Sequence, residues 1–368
     1  MGWFPKGMSG LALVSLAFLT GCSMERLSET EASTTGRQEI ATPSGTMTVK
    51  DSPRHHVYNE VALRKIMRYE GFHGMDFHSE NQLLIRQDNK DYPPIPVEDG
   101  EIYPRNLYLY HTVKKEAKLI YGAPEIHCNA QYSPDKRHIY YVQNTEETGT
   151  AYIMDHEGKK RVPVSEKGRV HVFSGHWLNN EEVLYATFSG EIYRADLSGK
   201  KQLLVKTGKS SIKNTYLIND WVYYTTIDGE LVAYNLKTKQ TKGLKKNVVW
   251  VAPSPDQKWL ALVVNEADSH MTLMLTDLQG RSKAKLNEAS EIHGVSWSPD
   301  QTKLSYILSS QDAKQGLFVT DVRSNRAVQL TADVYHLIAP IKWDAASKNM
   351  LLSTVGEKGF VTYVFSLK

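Results

Sequence analysis

Residues 132–142 read YSPDKRHIYYV, residues 253–264 read PSPDQKWLALVV, and residues 297–308 read WSPDQTKLSYIL. Each places a Ser-Pro-Asp turn before a strongly apolar stretch. Proline presets φ for a turn, the aspartate accepts hydrogen bonds from the backbone that follows it, and the chain reverses into a strand. Self-similarity of this kind sets the architecture before any single residue is considered.

A second signal fixes the count. Alternating apolar strands end in a polar anchor at His111, Asp155, Asp196, Asn235, Asp277, Asp321 and Ser366, with successive gaps of 44, 41, 39, 42, 44 and 45 residues. Degenerate forms of the Ser-Pro-Asp turn fill the remaining units, near Phe77, Trp177, Asn219 and Trp343. Two hairpins are minimal glycine turns, FSGE at Phe188–Glu191 and IDGE at Ile227–Glu230. Seven units of strand, turn, strand, hairpin, strand, turn, strand predict an all-β, seven-bladed propeller of four-stranded blades over residues 55–368. The last unit runs out at Lys368 after its third strand, whereas NEVALRKIMRYEG at Asn59–Gly71 has a strand pattern and no blade of its own. This N-terminal strand is expected to pair with the last blade and close the ring, removing a sheet edge. The aromatic pairs Tyr140/Tyr141 and Tyr223/Tyr224 are expected to pack, one member inward and one between sheets.

The Ser-Pro-Asp turn, together with a strand ending in D-L-x-x-G-K, resembles the TolB-like (PD40, WD40-like) propeller family, and most of all the propeller lipoproteins of Gram-positive bacteria. The resemblance covers roughly residues 55–368, with two of the turns badly degraded. It implies a protein-binding or scaffolding role, although some relatives are enzymes.

The amino terminus supplies a compartment. Lys6 precedes an apolar run, Leu11–Leu19, that is too short to span a bilayer. The run ends in LTGC, which resembles the lipobox of bacterial lipoproteins. That likeness implies that residues 1–22 are a lipoprotein signal with its lipobox cysteine, cleaved just before Cys22, with acylation of Cys22 and anchoring of the protein to the outer face of a bacterial membrane. Residues 23–54, rich in Ser, Thr, Glu and Gly, read as a flexible tether. Cys128 is the one other cysteine in the chain, and in a strand it reads as a small buried apolar residue.

The 368 residues carry 44 basic and 41 acidic side chains, a net charge of +3. No basic stripe stands out, so nucleic-acid binding has no electrostatic support. No G-x-S-x-G elbow, H-E-x-x-H helix, EF-hand loop, phosphate loop or dinucleotide fingerprint occurs, which argues against a familiar hydrolase.

Two features remain as candidate sites. His73, His127, His171, His293 and His336 stand where the chain enters the inner strand of five units, and imidazoles gathered at one axis suit Zn, Mn or Fe. They lie at different distances from their aromatic landmarks, so the alternative is five half-buried histidines bonded to loop backbone. A propeller-fold oligogalacturonate lyase group that holds a metal through channel histidines is loosely similar here, with EIHCNAQYSPD as the nearest match. The second feature is DNKDYPPIPVEDGEIYPR, Asp88–Arg105, a long link with an acidic end, whose Asp88, Asp91, Tyr92, Glu98, Asp99 and Glu101 are candidate ligand- or partner-binding residues. The leading expectation is a monomeric binding module for an envelope protein, a peptide or a cell-wall polymer, without a required cofactor. The alternative is a metal-dependent, polysaccharide lyase-like enzyme.

Overall fold

A computed structural model describes residues 37–42, 45–50, 61–97, 100–144, 148–167, 169–267, 270–309, 315–332, 334, 340–357 and 359–368. Cys22, Glu98, Asp99 and His336 lie outside these residues, as does most of the expected tether. Among the described residues there is no helix.

The architecture is a seven-bladed β-propeller. Blade 1 comprises His73–Ser79, Gln82–Asp88, Arg105–His111 and Glu116–Tyr121. Blade 2 comprises Ile126–Tyr132, His138–Asn144, Thr148–Asp155 and Val162–Pro163, with Val170–His171 continuing its outer margin against Thr148 and Gly149. Blade 3 is His176–Trp177, Glu182–Ala186, Glu191–Asp196 and Lys201–Lys206, and blade 4 is Thr215–Ile218, Trp221–Thr225, Leu231–Asn235 and Thr241–Lys245. Blade 5 follows with Val248–Pro253, Trp259–Ala267, His270–Asp277 and Ser282–Ala289. Blade 6 is Glu291–Trp297, Lys303–Ser309, Gly316–Asp321 and Arg326–Thr331. Blade 7 takes Lys342–Trp343, Asn349–Gly356 and Gly359–Leu367 from the carboxyl end and Leu63–Glu70 from the amino end. Met67 pairs with Val364 and Tyr69 with Thr362, so the expected closing strand is in place.

Within the span expected to be a tether, Arg37–Thr42 and Gly45–Lys50 form a hairpin, and Val49 pairs with Thr331 at the outer edge of blade 6.

The motifs act as the sequence reading requires. Ser133, Ser254 and Ser298 are buried, and each hydroxyl meets the aspartate two residues on at 2.6–2.7 Å while accepting the amide that starts the next strand. The turn ends in a left-handed residue, Lys136 at φ 62°, Gln257 at 58° and Gln301 at 64°. The anchors Asp155, Asp196, Asn235 and Asp277 cap the next hairpin by accepting two amides each.

Sheet-to-sheet packing makes the core. Tyr140 packs with Val183 and Tyr185 toward blade 3, whereas Tyr141 packs with Met75, Leu84 and Leu107 toward blade 1. Tyr223 and Tyr224 divide in the same way between blades 5 and 3. Both members of each pair therefore lie between sheets, on opposite sides of their blade, because successive side chains alternate across a strand. Indole and phenol groups stitch the inner strands: Trp250 Nε1 donates to Val295 O at 3.0 Å, Trp297 Nε1 to Ala252 O at 2.9 Å, and Tyr216 Oη to Val251 O at 2.7 Å.

Candidate functional site

Antiparallel order decides which links share a face. The chain enters each inner strand from the face on which it later turns from second to third strand, so both kinds of link emerge together. The Asp88–Arg105 insertion is such a turn. It is not a structureless loop: Ile95–Val97 pairs with Gly100–Ile102 in a small hairpin, with Ile95 opposite Ile102. Its base is fastened. Asn106 is fully buried, accepts from Asn89 Nδ2 at 2.9 Å and from the Ala123 amide at 3.1 Å, and donates to the carbonyls of Ala123 and Glu125.

The expected loop residues divide. Asp88 accepts from Arg105 Nε at 3.2 Å, and the Asp91 amide donates to Asn89 Oδ1, so these two help hold the base. Tyr92 packs near Gly122, where a Cβ would meet its ring edge at 3.4 Å. Glu101 is exposed on the hairpin opposite Pro96.

The same face gathers exposed apolar side chains. Of eight large exposed hydrophobics among the described residues, Val97, Phe173, Phe188, Ile227 and Val355 sit on links of this face or at strand ends beside them. Val113 lies on a turn of the opposite face, and Leu119 and Leu203 lie on outermost strands. Phe173, Phe188 and Ile227 are 56%, 48% and 57% exposed.

The four described candidate histidines, His73, His127, His171 and His293, do not gather at one point. His171 lies on the outer margin of blade 2, paired with Thr148, rather than at the entry to an inner strand. Blade 2's outer strand is interrupted between Pro163 and Val170, so the spacing that suggested an inner position carries the chain along the periphery. His293 is half exposed, with Nε2 at 3.3 Å from Glu291 Oε2. His73 and His127 are buried near each other, with Arg86 between them. Among the described residues no three His, Cys, Asp or Glu side chains form a metal-holding group.

Between His73 and His127 lies a feature that the sequence reading missed. The Arg86 guanidinium is buried, donating from Nε to His73 Nδ1 at 3.1 Å and from Nη1 to His127 O at 3.3 Å and Cys128 Sγ at 2.9 Å. Arg86 and Arg105 lie 5.3 and 4.7 Å from the Phe360 ring of blade 7. Arg161 stacks 3.4 Å over Tyr152 and donates to Tyr141 Oη and Gln143 Oε1. Burial, then the charges of Arg86 and Arg105, push the His73 pKa well down, and burial with Arg161 and Arg86 pulls His127 to about 3. Burial pushes the Cys128 thiol up against the opposing pull of Arg86, so it stays a neutral thiol. Spacing gave no hint of this cluster, because Arg86 and Arg105 stand on two different strands of blade 1 and Arg161 on the link before Val162 in blade 2.

An open depression of about 450 Å³ lies on the opposite face, lined in part by Asn219, Asp256, Lys258 and Asp277. Its aspartates are already engaged in turns and caps.

Solved β-propeller structures share this fold. An oligogalacturonate lyase in complex with manganese superposes with a TM-score of 0.61 at 11% identity, over 90% of this chain and 96% of that one. An oligogalacturonate lyase from Vibrio parahaemolyticus gives 0.60 at 10% identity, with the same coverage. The Cps50 (Swd1) β-propeller domain of Myceliophteria thermophila gives 0.57 at 11% identity, over 84% of this chain and 100% of that domain. No family model and no curated protein matches the chain by sequence.

The residues here do not suit a divalent cation at the histidine cluster. His73 Nδ1 is taken by a guanidinium, the charges of Arg86 and Arg105 act on that ring, and those of Arg161 and Arg86 act on His127. Like charges at such range repel strongly in a desolvated site.

Proposed function

We propose that this propeller is a binding module that docks an envelope protein, a peptide or a cell-wall polymer on the face carrying the Asp88–Arg105 hairpin. The observation that carries the reading is the gathering of Val97, Phe173, Phe188, Ile227 and Val355 on that one face. Exposed apolar groups clustered on one surface mark contact sites, whereas scattered ones need no explanation. The TolB-like repeat supports a binding role, and the LTGC tetrad supports a lipid anchor at Cys22 on the outer side of a bacterial membrane.

The test is capture on arrays of wall polymers and envelope peptides. A Phe173→Ser, Phe188→Ser, Ile227→Ser triple variant keeps its stability, because exposed substitutions usually change it by less than about 0.5 kcal/mol each. It should lose capture, as should a chain whose Asp88–Arg105 link is replaced by a short glycine hairpin. Capture that survives both changes refutes the assignment of this face.

The manganese-bound lyase likeness supports a second reading, a metal-dependent enzyme on an acidic polysaccharide. The donor set argues against it. Stoichiometric Zn, Mn or Fe in the purified chain, lost in a His127→Ala, His293→Ala variant, would restore it.

A further inference from the structure

We infer that the outer hairpins of blades 1–6 form a basic rim, on the face opposite the Asp88–Arg105 hairpin, that rests on an anionic lipid bilayer. The inference goes beyond docking, and only the presence of a bilayer within reach rests on the anchor at Cys22.

The repeat puts the charges there. In each of these blades the third strand turns into the fourth through a short hairpin, at residues 112–115, 156–161, 197–200, 236–240, 278–281 and 322–325. Antiparallel order places all six on the face that carries the Ser-Pro-Asp turns. Together they expose nine lysines and arginines against one acid, Glu157. Lys159, Lys237 and Arg281 are each paired with a carboxylate. Lys114, Lys115, Lys160, Lys200, Lys239 and Arg323 have no carboxylate within 4.0 Å among the described residues, so six charges remain to be answered from outside. In sequence they lie in separate blades, and no basic run betrays them.

The rim is continuous, because each hairpin leans on the blade before it. A Cβ at Gly158 would strike the Ile120 carbonyl of blade 1, and one at Gly199 would stand 3.0 Å from Pro163 O of blade 2. Leu236 packs into the core that blade 4 shares with blade 3. Tyr223 Oη of blade 4 donates to Leu278 O of the blade 5 hairpin at 3.3 Å, and Asn325 Nδ2 of blade 6 donates to Lys285 O of blade 5 at 3.1 Å.

Separated charges around one face select an extended anionic surface, since a small anion meets one of them and a bilayer meets many at once. Each lysine or arginine held within a Debye length of such a surface strengthens binding about fivefold. The acids of this face lie nearer the axis, where Asp135, Asp256 and Asp300 are bonded to Ser133, Ser254 and Ser298. The docking face presents exposed Asp88, Asp91 and Glu101 instead. The same field therefore turns the Asp88–Arg105 hairpin away from the lipid and toward what it docks.

The test sediments the full chain carrying Cys22→Ser, which no acyl group can anchor, with vesicles of phosphatidylcholine alone or mixed with phosphatidylglycerol. The apolar run Leu11–Leu19 is common to every chain and both vesicles, so the difference between vesicles is what is read. Binding to the mixture should exceed binding to the neutral vesicles and fall as salt rises. Lys114→Gln, Lys200→Gln and Arg323→Gln together should weaken it at least about tenfold. Lys167→Gln, Lys213→Gln and Lys246→Gln, the same change of charge on the docking face, should leave it as it was. Equal binding to both vesicles, or equal loss in both triple variants, overturns the rim. A chain that ignores the anionic vesicles but binds polyphosphate through Lys114, Lys200 and Arg323 overturns the bilayer in favour of a polymer. Acylation of Cys22 in the natural chain without a lipid preference here overturns the rim and leaves the anchor standing. A lipid preference in a chain that is never acylated supports the rim and sinks the anchor.

Discussion

Replacing His127 by phenylalanine should stabilise the protein at neutral pH and flatten its response to acid. The imidazole is fully buried, stacked 5.4 Å from Tyr121 and edge-on 5.0 Å from Tyr141, and neither ring nitrogen has a partner among the described residues. Phenylalanine fills nearly the same volume, so the substitution removes two unsatisfied polar atoms and leaves the packing. Unsatisfied buried groups cost about 1–3 kcal/mol, which puts the gain at pH 7 near 1 kcal/mol. The acid response follows from linkage. A histidine of ordinary pKa, about 6.5 in the unfolded chain, is held neutral to about pH 3 in the folded one. The unfolded state therefore binds the extra proton, and stability is lost as pH falls below about 6.5, until the folded pKa is reached. Between pH 7 and pH 5 that amounts to about 2 kcal/mol from this one residue. Urea unfolding at both pH values, with wild type and His127→Phe compared, isolates it, since other titrating groups contribute equally to both chains. Parallel pH dependence in the two proteins would refute the reasoning.

Ser298→Ala should cost about 1–3 kcal/mol, read from the unfolding midpoint, because it strips the hydroxyl from Asp300 Oδ1 and from the Lys303 amide in a buried turn. Starting the chain at Gly71 removes the buried Val61 and the partly buried Leu63 and Ile66 from the blade 7 core, where full burial of such a side chain is worth about 1.5–3 kcal/mol, and bares the Gly359–Leu367 edge. Such a chain should aggregate on a sizing column, and a soluble monomer of normal midpoint would count against the closure. Cys22→Ser should leave the protein unacylated by mass spectrometry and shift it from the membrane fraction to the soluble one.

The fold was legible because its signals are local. Ser254, Pro255 and Asp256 form their turn by contacts within a few residues, and the Asp277 cap closes on amides two and four residues ahead. The closing strand was legible by arithmetic, since a unit lacked a strand and Leu63–Glu70 lacked a unit. Arg86 is a different case. Its significance depends on what stands across the seam, His127 and Cys128 of blade 2 and Phe360 of blade 7, and none of these is near it in sequence. His171 shows the limit of spacing as a guide, because a broken outer strand and an inner entry occupy the same count from the last anchor.

Blade 7 joins residues 63–70 to residues 359–367, a separation close to the length of the whole ring. Everything between must be made and delivered before Leu63–Glu70 finds its place. Until then, six blades can pair from neighbours in the chain while this one strand waits with its ladder open. The native state thus carries a check on completeness: a chain cut short anywhere before Gly359 keeps an unsatisfied edge at its start, visible to chaperones, proteases or another such chain. Loop closure over so long a span also places this pairing among the slow steps of folding.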